Sequence, residues 1–276
     1  MRLLVVGGSG FLGAELVRQG AAAGHGVTAT CHTRPGEAAG VAWSPLDVRR
    51  RADVEALVAA VRPEAVVNAA FRQHDWATTA TGAANVALAA AAAGSRLVHV
   101  SSDAVFSGAA TRYDETCVPD PITPYGAAKA AAETVVAAVA PDSVIARTSL
   151  IIGDGGSSHE ARVHALATGG TEGVLFTDDV RCPVHVTDLA AALLELTASG
   201  RSGVHHVAGA DAVSRYELGL LIARRDGLDP DRLPAGLRAG SGVPGPLDVR
   251  LDCAATQRQL RTVLRGARRF LDRSRP

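Results

Sequence analysis

Aromatic residues are scarce: five Phe, two Trp and three Tyr make up 4% of the 276 residues. A core built from this chain must be packed with aliphatic and alanine side chains. Neither sign of charge is in excess, because 28 Lys and Arg balance 28 Asp and Glu. That balance speaks against a nucleic-acid surface, an anionic-membrane surface and an acidic tail. The four cysteines, Cys31, Cys117, Cys182 and Cys253, stand far apart without a CxxC pair. They encode neither a zinc ligand set nor a disulfide framework, and read as buried free thiols of a reducing compartment. No apolar run approaches the ~20 residues of a membrane span. The opening MRLLVVGGSG breaks off too early to form a leader core. The expectation is a cytoplasmic protein with no membrane or nucleic-acid partner.

Short β-branched runs alternate with longer, Ala-rich amphipathic ones. Strands are expected at 2–6, 26–30, 41–43, 65–68, 96–101, 143–148 and 203–208. Helices are expected at 12–22, 52–61, 80–93, 125–139, 187–197 and 216–225, the helix at 187 being N-capped by Thr187 or its neighbour. Residues 230–246 read as a Pro/Gly-rich loop, and 258–271 as a basic terminal helix. Such alternation implies an α/β fold, a Rossmann-type doubly wound parallel sheet covered on both faces. The pattern loosens after residue 150. Residues 1–153 are expected to form the dinucleotide-binding domain, and 154–276 a small C-terminal substrate lobe interleaved with the core.

Gly7-Gly8-Ser9-Gly10-Phe11-Leu12-Gly13 joins the first strand to the first helix. In that context Gly7 permits a tight turn, Gly10 lets backbone N–H groups approach a pyrophosphate, and Gly13 lets the helix sit close to the sheet. The helix N-terminus then offers its positive dipole end to the phosphates. NAD sites usually carry an acid after the second strand, to bond the ribose 2′-hydroxyl. Here the window reads Thr30-Cys31-His32-Thr33-Arg34. Arg34 suits a 2′-phosphate, with Thr33 or His32 donating a hydrogen bond, so NADP is expected rather than NAD.

Tyr125 and Lys129 are four residues apart at a helix start, and so share one face. Tyrosine exchanges protons poorly at neutral pH because its ordinary pKa is ~10. A neighbouring ammonium is expected to lower it toward the working range. Ser102 ends a strand at the sheet edge where ligands bind, and its hydroxyl suits a substrate carbonyl oxygen.

Further segments extend the pattern. They are PLDVRRRADVEALVAAVRPEAVVNAA at 45–70, LVHVSSDAVFSG at 97–108, YGAAK at 125–129, ARTSLIIG at 146–153 and, more loosely, CPVHVTDLA at 182–190. Together with GGSGFLG they resemble the extended short-chain dehydrogenase/reductase family, in its dTDP-4-dehydrorhamnose reductase branch. The resemblance implies NADPH-dependent reduction of a keto-sugar nucleotide. It implies that Ser102 polarises the carbonyl, Tyr125 donates the proton, and Lys129 holds the nicotinamide ribose. It also places Asp47 and Val48 beside the adenine, Ala69 and Ala70 along the cofactor, and Thr148 and Ser149 at the nicotinamide. A homodimer is compatible with it.

The departures from that branch concern the substrate. SSDAVFSG stands for the usual STDYVFDG, and RTSLIIG for RTSWVYG, so Ala104 and Leu150 replace aromatics near the sugar. Phe71-Arg72-Gln73-His74-Asp75-Trp76 departs from the usual segment, leaving Arg72, His74 and Trp76 to line a different pocket. Asp103 is followed by Ala104 rather than Glu, which disfavours sugar-nucleotide dehydration. Two alternatives share the pattern: a sugar-nucleotide epimerase and a non-catalytic NADP-binding regulatory subunit. His185, His205 and His206 lack metal-ligand spacing. Arg181 suits either a substrate phosphate or a surface ion pair with Asp178 or Asp179. Arg268 and Arg269 read as a solvated helix face.

Overall fold

The protein, seen in a computed structural model, is described over residues 1–272. Seven parallel strands form the central sheet: β1 (Arg2–Val6), β2 (Gly26–Cys31), β3 (Ala42–Pro45), β4 (Ala65–Asn68), β5 (Arg96–Ser102), β6 (Val144–Thr148) and β7 (Gly203–His206). Their order is β7-β6-β5-β4-β1-β2-β3. The winding reverses between β1 and β4, where doubly wound sheets open a ligand crevice at the carboxyl ends of the strands. Among the described residues seven helices of eleven residues or more accompany them: α1 (Phe11–Ala22), α2 (Arg51–Val61), α3 (Gly82–Ala92), α4 (Pro124–Val139), α5 (Ser158–Thr168), α6 (Val186–Ala198) and α7 (Arg215–Asp226).

The pleat divides each strand between two cores. Leu3 and Val5 join Leu16 of α1 and Leu189, Leu193 and Leu196 of α6. Leu4 and Val6 join Val54 of α2, Val86 of α3 and Val136 of α4 on the opposite face. All these residues are buried, as a doubly covered sheet requires. Ala87 and Ala90 of α3 are fully buried, filling the aromatic-poor core with short side chains. Beyond the sheet, α5 and α7 bury a third cluster with Ile152, Leu175 and Leu233. The chain after residue 153 is not confined there, because α6 packs on α1 and β7 pairs with β6.

Several expectations need correction. The run 258–271 is not one helix. Only Ala254–Gln257 and Ala267–Phe270 are helical. Between them, Glu195 accepts the N–H groups of Arg261 and Thr262, and Gln257 accepts that of Leu264, so side chains replace helical bonds. Neither Thr187 nor its immediate neighbours cap α6. His185 does, its Nδ1 accepting the Thr187 N–H. The helix expected from residue 80 is preceded by a π-helical turn, Ala77–Thr81. Only Cys31 and Cys182 are buried, Cys117 and Cys253 being partly exposed.

Candidate active site

Gly7 leaves β1 at φ +83°, and a Cβ there would stand 2.8 Å from the Ala70 nitrogen. At Gly13 a Cβ would stand 2.0 Å from the Gly7 carbonyl oxygen, so both positions exclude a side chain. The Thr30 hydroxyl accepts the Gly7 N–H at 2.9 Å, tying the turn to β2. Asn68 Oδ1 accepts the Ala70 N–H at 3.2 Å and sets the turn after β4. Gly10 is the N-cap of α1, with no side-chain capping bond and no acid in the first turn. Its unpaired N–H groups and positive dipole end suit an anion.

This loop opens one end of a cavity of about 950 Å³. Gly7, Gly10, Phe11, Leu12, Gly13, Ala69, Ser102, Tyr125, Lys129 and Thr148 all line it, so most of the residues singled out in the sequence converge. The Thr148 hydroxyl is buried with no hydrogen-bond partner. Ser9 is exposed outside the lining, and Ala70 is half-buried and also outside it. His32, Thr33 and Arg34 are exposed beyond the end of β2, also outside the lining. Asp47 is bound at both carboxylate oxygens by Arg49, which holds its pKa down to about 2. Val48 is buried, its carbonyl accepting from Asn85 at 2.9 Å. Of the segment 71–76, His74 and Trp76 line the cavity and Arg72 does not. Thr79 bonds both the N–H and the carbonyl of Arg72, and its side chain is left exposed.

Ser102 and Tyr125 both line the cavity. Burial pushes the Tyr125 hydroxyl well above its ordinary pKa; the Ser102 hydroxyl opposes this and the Asp103 charge adds to it. Lys129 is buried, and its Nζ donates to the Val100 carbonyl at 2.9 Å. Burial pushes its pKa down to about 8, against the attraction of Glu133. The expected lowering of Tyr125 by Lys129 is therefore absent: the ammonium turns to the carbonyl offered by β5, and burial governs the phenol. Ser101, one residue before Ser102, donates to Glu133 at 2.5 Å, and Glu133 pairs with the buried Arg147 at 2.8 Å.

Of the far wall, only Arg181 and its acidic neighbours stood out in the sequence. Asp179 is fully buried and meets three arginines: Arg181 at 2.9 Å, Arg215 at 3.4 Å and Arg238 at 2.6 Å. All three arginines line the cavity. Arg181 thus sits in a buried cluster rather than a surface pair, while Asp178 accepts the N–H groups of Arg238 and Ala239. Asp103 joins this wall to the hydroxyls. It accepts from Ser102 at 3.2 Å and Ser149 at 2.6 Å, and lies 3.7 Å from Arg181. Nearby, the buried Glu160 closes a capping box with Ser157, accepts the Gly153 and Gly155 N–H groups, and pairs with Arg225 at 2.7 Å. This fixes the loop between β6 and α5. Among the described residues no cluster of three or more His, Cys, Asp or Glu is arranged to hold a metal.

A glycine cradle under an uncapped helix, with Ser, Tyr and Lys at the carboxyl edge of a doubly wound sheet, defines a dinucleotide-binding protein of the short-chain dehydrogenase/reductase class. The model of the family described as RmlD substrate binding domain matches residues 1–274, and the chain belongs to that family. It is 32% identical over 251 residues to a dTDP-4-dehydrorhamnose reductase of Mycolicibacterium smegmatis, covering 85% of this chain and 72% of the relative. It is 31% identical over 244 residues to a dTDP-4-keto-6-deoxy-D-glucose reductase of Streptomyces niveus, covering 84% and 81%. The crystal structure of a Bacillus anthracis dTDP-4-dehydrorhamnose reductase in complex with NADP superposes with a TM-score of 0.84 at 22% identity. That match covers 99% of this chain and 97% of the other, and shows a shared fold.

Proposed function

We propose that the chain reduces the keto carbon of a nucleotide-activated sugar with NADPH. The observation that carries this is the convergence of Ser102, Tyr125 and Lys129 in one cavity with the glycine cradle. The substrate class follows from the named activities of the relatives from M. smegmatis and S. niveus.

The residues fit a dinucleotide. Gly7 and Gly13 leave room that a Cβ would fill, the α1 N-terminus has free donors, and the Thr148 hydroxyl lacks a partner. Gly10, Phe11, Leu12, Ala69 and Ala70 would border it, with Asp47 and Val48 toward the adenine. The exposed His32, Thr33 and Arg34, with no acid among them, suit a 2′-phosphate and favour NADP over NAD. When bound, NADPH supplies hydride to the carbonyl carbon. Tyr125 gives its hydroxyl proton to the carbonyl oxygen as negative charge develops there. Ser102 donates to the same oxygen and orients it. Lys129 would hold the nicotinamide ribose through its ammonium. Arg181, Arg215 and Arg238, three cations against Asp179 and Asp103, receive the substrate's phosphates. The chain after residue 153 thus supplies the substrate wall.

Exchanging Tyr125→Phe tests the assignment. NADPH oxidation with dTDP-4-keto-6-deoxyglucose is expected to fall by about 10²–10⁴-fold, with NADPH affinity nearly unchanged. Surviving turnover overturns the mechanism. If the unaltered chain oxidises NADPH with no keto-sugar nucleotide, the regulatory-subunit alternative takes its place.

A further inference from the structure

Aromatic side chains are few, yet exposed ones gather in one place. Among the described residues the exposed aromatic rings are Phe11, Phe71 and Trp76, and all three line the cavity. Phe11 has a partner in the fold: its ring lies where a Cβ on Gly153 would approach to 2.7 Å and one on Gly156 to 3.1 Å. Phe71 and Trp76 remain 52% and 53% exposed. The Phe71 ring stands 5.9 Å from the Tyr125 ring, tilted by 51°, and 5.3 Å from Lys129 Nζ. It therefore borders the proton donor with about half its surface open. Ala104 and Leu150 also line the cavity and present no ring.

The segment carrying these rings is held in shape. Thr79 bonds the Arg72 N–H at 3.1 Å and its carbonyl at 2.7 Å. Asp75 accepts from the Thr78 N–H and hydroxyl at 3.2 and 2.6 Å. A rigid, exposed aromatic face inside a polar cavity, next to the reacting atoms, is a surface for an apolar ligand face. A sugar ring offers such a face through its C–H bonds, more so where hydroxyls are missing.

We infer that Phe71, extended by Trp76, is the face on which the sugar ring of the ketone substrate lies. This rests on the reading that Tyr125 protonates a sugar ketone. Phe71 is exposed, so exchanging it is not expected to disturb folding. In the full chain, Phe71→Ala is expected to raise the KM for dTDP-4-keto-6-deoxyglucose about three- to tenfold. kcat should stay within about twofold, NADPH affinity should be unchanged, and Phe71→Tyr should restore KM. A fall in kcat at constant KM would mean the ring only positions Tyr125 and Lys129. Weaker NADPH binding would mean it covers the cofactor. Either result, or no change at all, overturns the inference.

Binding of dTDP-glucose separates this inference from the reductase reading. It can be followed by Trp76 fluorescence in a Trp43→Phe background, since Trp43 and Trp76 are the only tryptophans. If no ketone is reduced but Phe71→Ala still weakens dTDP-glucose about three- to tenfold, the reductase reading fails and the sugar platform stands. Equal affinity in the two proteins, or no binding to the unaltered chain, overturns the platform.

Discussion

Replacing Asp179 by asparagine removes the one fully buried anion that three cavity arginines share. The carboxylate lies 2.9 Å from Arg181 Nη1, 3.4 Å from Arg215 Nε and 2.6 Å from Arg238 Nη2. At an effective dielectric of about 20, each such unit pair amounts to roughly 5 kcal/mol of Coulomb attraction. Desolvation and repulsion among the arginines cancel most of that sum. Breaking a buried pair typically costs about 3–5 kcal/mol net, against a total stability of about 5–15 kcal/mol. At about 2–4 °C per kcal/mol, the melting temperature should fall by roughly 6–20 °C. Urea unfolding and thermal scans measure both quantities. dTDP gives the second readout. Guanidiniums deprived of their carboxylate should gain more from a diphosphate, so dTDP should raise the melting temperature of Asp179→Asn more than that of the unaltered chain. A stability loss below about 1 kcal/mol would refute the charge reasoning. Equal stabilisation of both proteins by dTDP would refute the phosphate role of the trio.

Three further outcomes follow from the same geometry. Arg34→Ala should raise the KM for NADPH about ten- to a hundredfold and leave that for NADH unchanged, because only the former offers a 2′-phosphate; an equal effect on both cofactors removes Arg34 from that role. Gly13→Ala puts a Cβ 2.0 Å from the Gly7 carbonyl oxygen, so NADPH binding by calorimetry should be lost; retained affinity would show that the loop is not the cradle. Burial pushes Lys129 from an ordinary value of 10.5 down to about 8. Between those values the unfolded chain holds a proton that the folded chain has released, so this site's contribution to stability rises with pH across that window. NADPH affinity should run the other way and weaken above about pH 8 as the ammonium is lost, a trend that Lys129→Met should abolish.

The sheet was legible because its strands are short runs of β-branched residues between Ala-rich helices, and local periodicity suffices to mark them. The glycine loop and the Tyr125/Lys129 pair were legible because each lies within seven residues or fewer of continuous chain. Features assembled across the chain were not. Asp179, Arg215 and Arg238 come from separate segments of the chain, and only their burial around one carboxylate reveals a group. The terminal run 258–271 carries helix-forming residues, but Glu195 and Gln257 claim its backbone N–H groups, and Leu260 and Leu271 enter different cores. Lys129 has the spacing to act on Tyr125; its actual partner, the Val100 carbonyl, is set by the register of β5 beneath α4. Phe71 follows a strand and looks like an ordinary apolar residue until its exposure is known.

Asp103 gives the cavity an electrical continuity that separate motifs would not suggest. It accepts from Ser102 at one oxygen and Ser149 at the other, lies 3.7 Å from Arg181, and its charge helps to raise the pKa of Tyr125. Arg181 divides its charge between Asp103 and Asp179. A phosphate taken up by the arginines would draw on that same charge and leave Asp103 less screened. The field of Asp103 would then hold the Tyr125 proton more firmly in the loaded site than in the free one. That makes Tyr125 a weaker acid, so the transfer depends on the alkoxide formed by hydride addition being more basic than the phenolate.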